Sequence, residues 1–102
     1  MNTAFQQFDI KFSLHGKTRI SQRGIKEEAV FKVIQFGEII HKQGLKFHYI
    51  PRSKASSLGK KEMEETRDLL VITNKNRTEV ITCYKNPKAV HAVKKKPKRL
   101  SK

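Results

Sequence analysis

Residues 36–51 read FGEIIHKQGLKFHYIP, and the hydrophobic period changes inside this stretch. Before it, Ala29, Val30, Val33 and Ile34 recur at helical spacing, which predicts an amphipathic helix over residues 26–36. Glu27 and Glu28 suit the positive end of that helix, and Gly37 ends it. After Gly37 the pattern becomes that of strands. Residues 38–42 and 45–50 read as two strands joined by a turn at Gln43-Gly44, with Leu45, Phe47 and Tyr49 on one face. Pro51 stops the second strand because it has no N–H for the ladder.

Working outward, Phe8, Ile10 and Phe12 alternate with polar residues, the period of a half-buried strand. Ser13 offers an N-cap oxygen and Gly24 a left-handed C-cap, so a first helix is predicted between them. Gly16 inside that helix costs roughly 1 kcal/mol against alanine, so the helix needs tertiary support. On the other side, residues 52–66 read as a polar loop with room for one helical turn. Residues 69–73 are continuously apolar, as in a central strand. Residues 74–77 form a turn, and residues 78–84 form the last strand of a hairpin. The fold class is therefore α+β: an N-terminal strand, two helices on one face, then an antiparallel sheet of about four strands. Residues 1–85 form a single domain. Residues 86–102 form a basic C-terminal tail, solvated until it meets a partner.

The charge balance is the strongest bulk signal. The 102 residues hold 23 Lys+Arg against 9 Asp+Glu, a formal net charge of +14. That excess favours a polyanionic partner, with nucleic acid first, an acidic protein second and an anionic membrane surface third. One cysteine, Cys83, cannot make an internal disulfide, and its apolar surroundings predict a small buried hydrophobe. The four histidines have no metal-site spacing, so no metal and no cofactor is expected. The start has no signal-peptide pattern and no run is long enough to span a bilayer, so a cytoplasmic location without membrane contact is expected.

Within the first helix, His15, Arg19 and Arg23 fall at intervals of four. Such residues share one helix face, drifting by about 40° per step. Exposed arginines on a helix are ordinarily solvated surface. Two guanidiniums on one face repel each other unless an anion lies between them, however, and a histidine exchanges protons near neutral pH. Arginine also supplies the bidentate geometry that phosphate accepts. Thr82 and Tyr84 share one face of the last strand by the period of two. The helix strip meets them only if the first helix lies at the sheet edge.

HGKTRISQRGIKEEAVFKVIQFGEII (residues 15–40), followed by LLVITNKNRTEVITCYKN (residues 69–86), resembles the family called DUF4258. The shared pattern is a His, an Arg four residues on, an Arg-Gly-Ile step, an amphipathic helix ending near Gly-Glu, and a strand reading Val-Ile-Thr-x-Tyr. It lands on His15, Arg19, Arg23, Gly24, Thr82 and Tyr84. Two departures are Gly16, where the family has a small residue such as Ala, and Lys26, where it has Ser or Thr. The family is similar to the RelE/ParE-like toxins of toxin–antitoxin systems, small basic α+β proteins that include ribonucleases.

The resemblance implies a toxin-like, metal-independent endoribonuclease acting on mRNA. His15, Arg19, Arg23 and Tyr84 form the expected catalytic set. Thr82, Lys46, His48, Lys85, Lys94, Lys95, Lys96, Lys98 and Arg99 form the expected substrate-binding set. Expected partners are RNA, including ribosome-bound mRNA, and an acidic antitoxin protein, with self-association left open. The rival readings are a non-catalytic nucleic-acid- or protein-binding module, such as a topoisomerase-inhibiting toxin, and a housekeeping RNA-binding module.

Overall fold

The computed structural model describes residues 10–95 of the chain. Its strands are β1 (Lys11–Phe12), β2 (Glu38–Lys42), β3 (Leu45–Tyr49), β4 (Leu69–Asn74) and β5 (Glu79–Lys85). Its helices are α1 (Leu14–Arg23), α2 (Glu27–Phe36), α3 (Arg52–Ala55), α4 (Lys60–Thr66) and α5 (Ala89–Lys95). The strands form one open sheet in the order β1-β5-β4-β3-β2. The fold is α+β, but the sheet is mixed rather than antiparallel, because the two-residue β1 joins β5 in parallel. Phe8, expected in that strand, lies outside the described residues.

The caps read from the sequence set α1. Ser13 Oγ accepts from the Gly16 N–H at 2.9 Å, and Gly24 turns left-handed at φ 63°. The turn closes with the Ile25 N–H donating to the Ile20 carbonyl, the 6→1 bond of a Schellman ending. α2 starts at Lys26 without a side-chain cap. It buries Ala29, Val30, Val33 and Ile34, the stripe its spacing predicts.

Both faces of the sheet are covered, and this governs which residues are exposed. On one face α1 and α2 pack over Leu69, Val71, Val80 and Cys83. On the other, Phe47, Leu70 and Ile72 pack against Val93, with Leu45 and Tyr49 beside them. Fully burying a valine or leucine stabilises by roughly 1.5–3 kcal/mol, so each cluster is worth more than any single polar contact. Val93 belongs to α5, so part of the stretch expected as a basic tail is a helix seated on the sheet. The segment expected as a loop likewise holds two helices, α3 and α4.

Candidate nucleic-acid interface

β1 accompanies β5 only at Glu79 and Val80. Beyond that point β5 has no strand on its outer side, and α1 lies there instead. The Ser13 N–H donates to the Val80 carbonyl at 2.9 Å, and Ser13 Oγ donates to the Ile81 carbonyl at 3.0 Å. At the far end of the helix, Arg23 Nη1 donates to the Cys83 carbonyl at 3.4 Å. Gly16 makes this approach possible. A Cβ built there would lie 2.7 Å from the Val80 carbonyl oxygen. The helix therefore sits at the sheet edge, the one position from which its strip reaches the face carrying Thr82 and Tyr84.

The strip resolves into two pairs. Arg19 Nε donates to His15 Nε2 at 3.2 Å, an arrangement in which the imidazole proton sits on Nδ1 and Nε2 carries the lone pair. One helical turn further, the Arg23 guanidinium lies over the Tyr84 ring, 5.3 Å from its centroid. Tyr84 is partly exposed and stands across from Leu70, on the sheet face opposite α2. Thr82 shares that face, is buried, and has an Oγ1 without a hydrogen-bond partner. No acidic residue occurs from Ser13 to Lys26 or from Lys85 to the C-terminus. Five of the eight described acids lie at the start of α2 and on α4, where Glu65 and Glu62 pair with Lys26 and Lys32, while Glu79 opens β5.

The other expected binding residues are scattered. His48 is fully buried. It bonds through Nε2 to Thr73 Oγ1 at 2.8 Å, while its Nδ1 has no partner. Burial, then the charges of Arg77, Lys46 and His41, push its pKa down to about 4. It offers no surface to a substrate, which corrects its place in the expected binding set. Lys46 stands across from Thr73, the position on β4 whose hydroxyl bonds His48, and so on the side of the sheet that α1 and α2 cover, away from Tyr84. Lys85 Nζ donates to the carbonyls of Glu64 and Glu65, closing the end of α4 and turned away from Tyr84. Lys94 lies over the Tyr49 ring, its carbonyl accepting from Lys42 Nζ. Lys95 is exposed at the end of α5. Lys96, Lys98 and Arg99 lie outside the described residues.

Cys83 is buried, as expected, and burial pushes its thiol up to about 12, so it stays protonated and unreactive. Among the described residues no group of three His, Cys, Asp or Glu is placed to hold a metal. No described helix is long and apolar enough to cross a membrane. The His15–Arg19 and Arg23–Tyr84 pairs lie on an open surface. A cleft of 470 Å³ lies elsewhere, between α2 and the α3–α4 segment, lined by Lys32, Phe36, Ile50, Lys54, Leu58 and Glu62 among others.

Compared with known protein families, residues 12–85 match a family described as a domain of unknown function, DUF4258. That span runs from the end of β1 through β5 and so includes His15, Arg19, Arg23, Thr82 and Tyr84, but not α5. No curated protein and no solved structure matches the chain.

Proposed function

The chain belongs to the DUF4258 family, and from that premise we propose that it is a toxin-like, metal-independent endoribonuclease of RelE/ParE-like architecture that acts on mRNA in the cytoplasm. The observation that carries this reading is the pairing of an acceptor imidazole with one guanidinium and of a stacking ring with another, along a helix free of acids. RNA cleavage needs three things at one phosphate. The 2′-hydroxyl replaces Arg19 Nε at His15 Nε2, which takes its proton. The 2′-oxygen bonds to phosphorus, and Arg19 and Arg23 hold the charge that develops on the non-bridging oxygens. The bond to the 5′-oxygen then breaks, that oxygen takes a proton from water and the His15 imidazolium returns one to water, leaving a 2′,3′-cyclic phosphate and a 5′-hydroxyl. Tyr84 orients the substrate by stacking on a base, a contact worth about 1–3 kcal/mol. An acidic antitoxin with a segment that folds on binding would complement the same basic surface.

The test is purified protein on defined RNA in EDTA, with and without ribosomes. Cleavage ending in cyclic phosphates is expected. His15→Gln should lower the rate by ~10²–10⁴ with RNA affinity nearly unchanged. Arg19→Lys should also be damaging although it keeps the charge, because the planar fork is lost. A folded His15→Gln protein with undiminished cleavage would refute the catalytic assignment.

A second reading, a non-catalytic nucleic-acid- or protein-binding module, is favoured by the openness of the surface, since catalytic groups ordinarily lie in a cleft. Tight RNA binding with no cleavage, with or without ribosomes, would select it.

A further inference from the structure

The two edges of the sheet are finished differently. Along β5, the outward carbonyls of Val80, Ile81 and Cys83 are taken by Ser13 and Arg23. α1 thus stands where another strand would. β2 forms the opposite edge, and the hairpin geometry fixes which of its groups face outward. Gln43 and Gly44 have φ of 56° and 76°, the two-residue turn that makes Lys42 and Leu45 a hydrogen-bonded pair. Alternation then makes Ile40/Phe47 and Glu38/Tyr49 hydrogen-bonded pairs as well. The N–H and C=O groups of Ile39 and His41 therefore point away from β3. The same alternation carried across β3 and β4 turns the Ile81 and Cys83 carbonyls outward on β5, as their bonds to Ser13 and Arg23 require. Among the described residues, nothing bonds the outward backbone of Ile39 or His41.

An edge of this kind is a template for another strand unless it is short, bulged, covered, charged or carries proline. α5 lies against β2 without bonding the outward backbone of Ile39 or His41, and the two charges of β2 are of opposite sign. β2 is five residues long, pairs with β3 in unbroken register and has no proline. Its sequence, EIIHK, is self-complementary about Ile40, with an acid two residues before it and a lysine two residues after. We propose that β2 pairs antiparallel with β2 of a second copy of this chain, about a two-fold axis through Ile40, to make one continuous ten-stranded sheet. In that register Ile39 and His41 exchange backbone bonds with His41 and Ile39 of the second copy. Ile40 meets Ile40, and each Glu38 faces a Lys42. The side chains that meet on one face are thus matched twice over, as an isologous contact requires.

Pairing across the axis exchanges the present contacts of these charges for new ones. Glu38 faces Lys54 at 3.9 Å, both about half exposed, and accepts from Tyr49 Oη at 3.4 Å. Lys42 donates to the Lys94 carbonyl. The net charge of +14 opposes association, but the two-fold axis sends the two α1 strips to the far ends. Seven strand spacings, roughly 34 Å, separate the two β5 strands, several times the screening length at physiological salt.

The experiment is sedimentation equilibrium of the full chain from micromolar to sub-millimolar concentration, with amide hydrogen exchange read at each end of the range. The mass should rise from 11.8 kDa towards twice that value, and the Ile39 and His41 amides should slow with it. Glu38→Lys should weaken dimerisation about tenfold by opposing two like-charged pairs. Adding Lys42→Glu to it should restore the dimer. A single mass throughout, or a double variant no better than Glu38→Lys, overturns the proposal. So does a dimer in which those two amides stay fast, because another face then associates. Slow exchange of the two amides already in the monomer also overturns it, because the chain then covers its own edge.

Discussion

At Gly16 two effects of one methyl group oppose each other. Helix propensity favours alanine over glycine by roughly 1 kcal/mol, and the sequence alone gives no reason for glycine there. The reason is the sheet edge, where a Cβ would lie 2.7 Å from the Val80 carbonyl oxygen and 3.3 Å from that of Ile81. Both are backbone atoms held in the β5 ladder, so the helix must move, at a cost typical of overpacking, about 1–3 kcal/mol. Gly16→Ala should therefore lower stability in urea unfolding, and a variant as stable as the parent would show that α1 is not seated against β5. His48 is the second residue whose surroundings reverse its sequence reading. Its pKa falls to about 4 on folding, chiefly through burial, against an ordinary 6.5. The neutral form is favoured in the folded state, so the stability is fully present above pH 6.5 and is lost as pH falls from there towards 4. A tenfold change in proton affinity is worth about 1.4 kcal/mol, so up to about 3 kcal/mol goes across that window. His48→Gln should flatten the pH dependence of unfolding between those limits. An unchanged slope would mean that His48 takes up its proton without unfolding the chain.

At the scale of elements, legibility followed how local the cause was. α1 and α2 could be read because Ser13, Gly24 and the Ala29–Val30–Val33–Ile34 stripe carry their own signals. The β2–β3 hairpin was legible for the same reason. α4, KKEMEET, has no apolar stripe, and Thr66 is its one buried residue. Its support comes from other elements: Lys26 and Lys32 bond its glutamates, and Lys85 takes its last carbonyls. α5 did carry a signal, since Ala89, Val90 and Val93 share a helix face, but it lay inside a run read for its charge. With the second sheet face taken as open, alternate residues of β3 should be exposed; with α5 seated there, Phe47 and His48 are both buried. The direction of β1 was not legible, because two residues contain no information about which way their partner runs. Of the site, the strip and Tyr84 were legible from spacing, whereas the contact between Arg23 and Tyr84 depends on Gly16 letting the helix onto the edge.

For the molecule as a whole, the decisive property is that the charges are sorted. Two α4 glutamates, Glu65 and Glu62, pair with Lys26 and Lys32, and Glu27, Glu28 and Glu64 add acid to the same side, so that side approaches neutrality. The excess of +14 is left to the rest of the surface. α5 and Tyr84 lie on the same sheet face, and Arg23 reaches round the edge to Tyr84, so the acid-free segments on α1 and α5 both border that face. A polyanion laid on that face releases counterions in proportion to the phosphates it contacts, at about 0.9 log units of affinity per contact on duplex and about 0.7 on single strands. Binding should therefore fall steeply with salt. Removing residues 94–102 should flatten the slope while leaving the fold intact, because the cut spares Val93, the residue that anchors α5 against Phe47, Leu70 and Ile72. The measurement is affinity for one RNA over a salt series, with unfolding of both proteins as the control. A truncated chain that keeps the full slope would locate all the phosphate contacts on the α1 edge and leave the C-terminal lysines as solvated charge. Loss of the fold instead would mean that the last residues hold α5 down, and that Val93 alone does not.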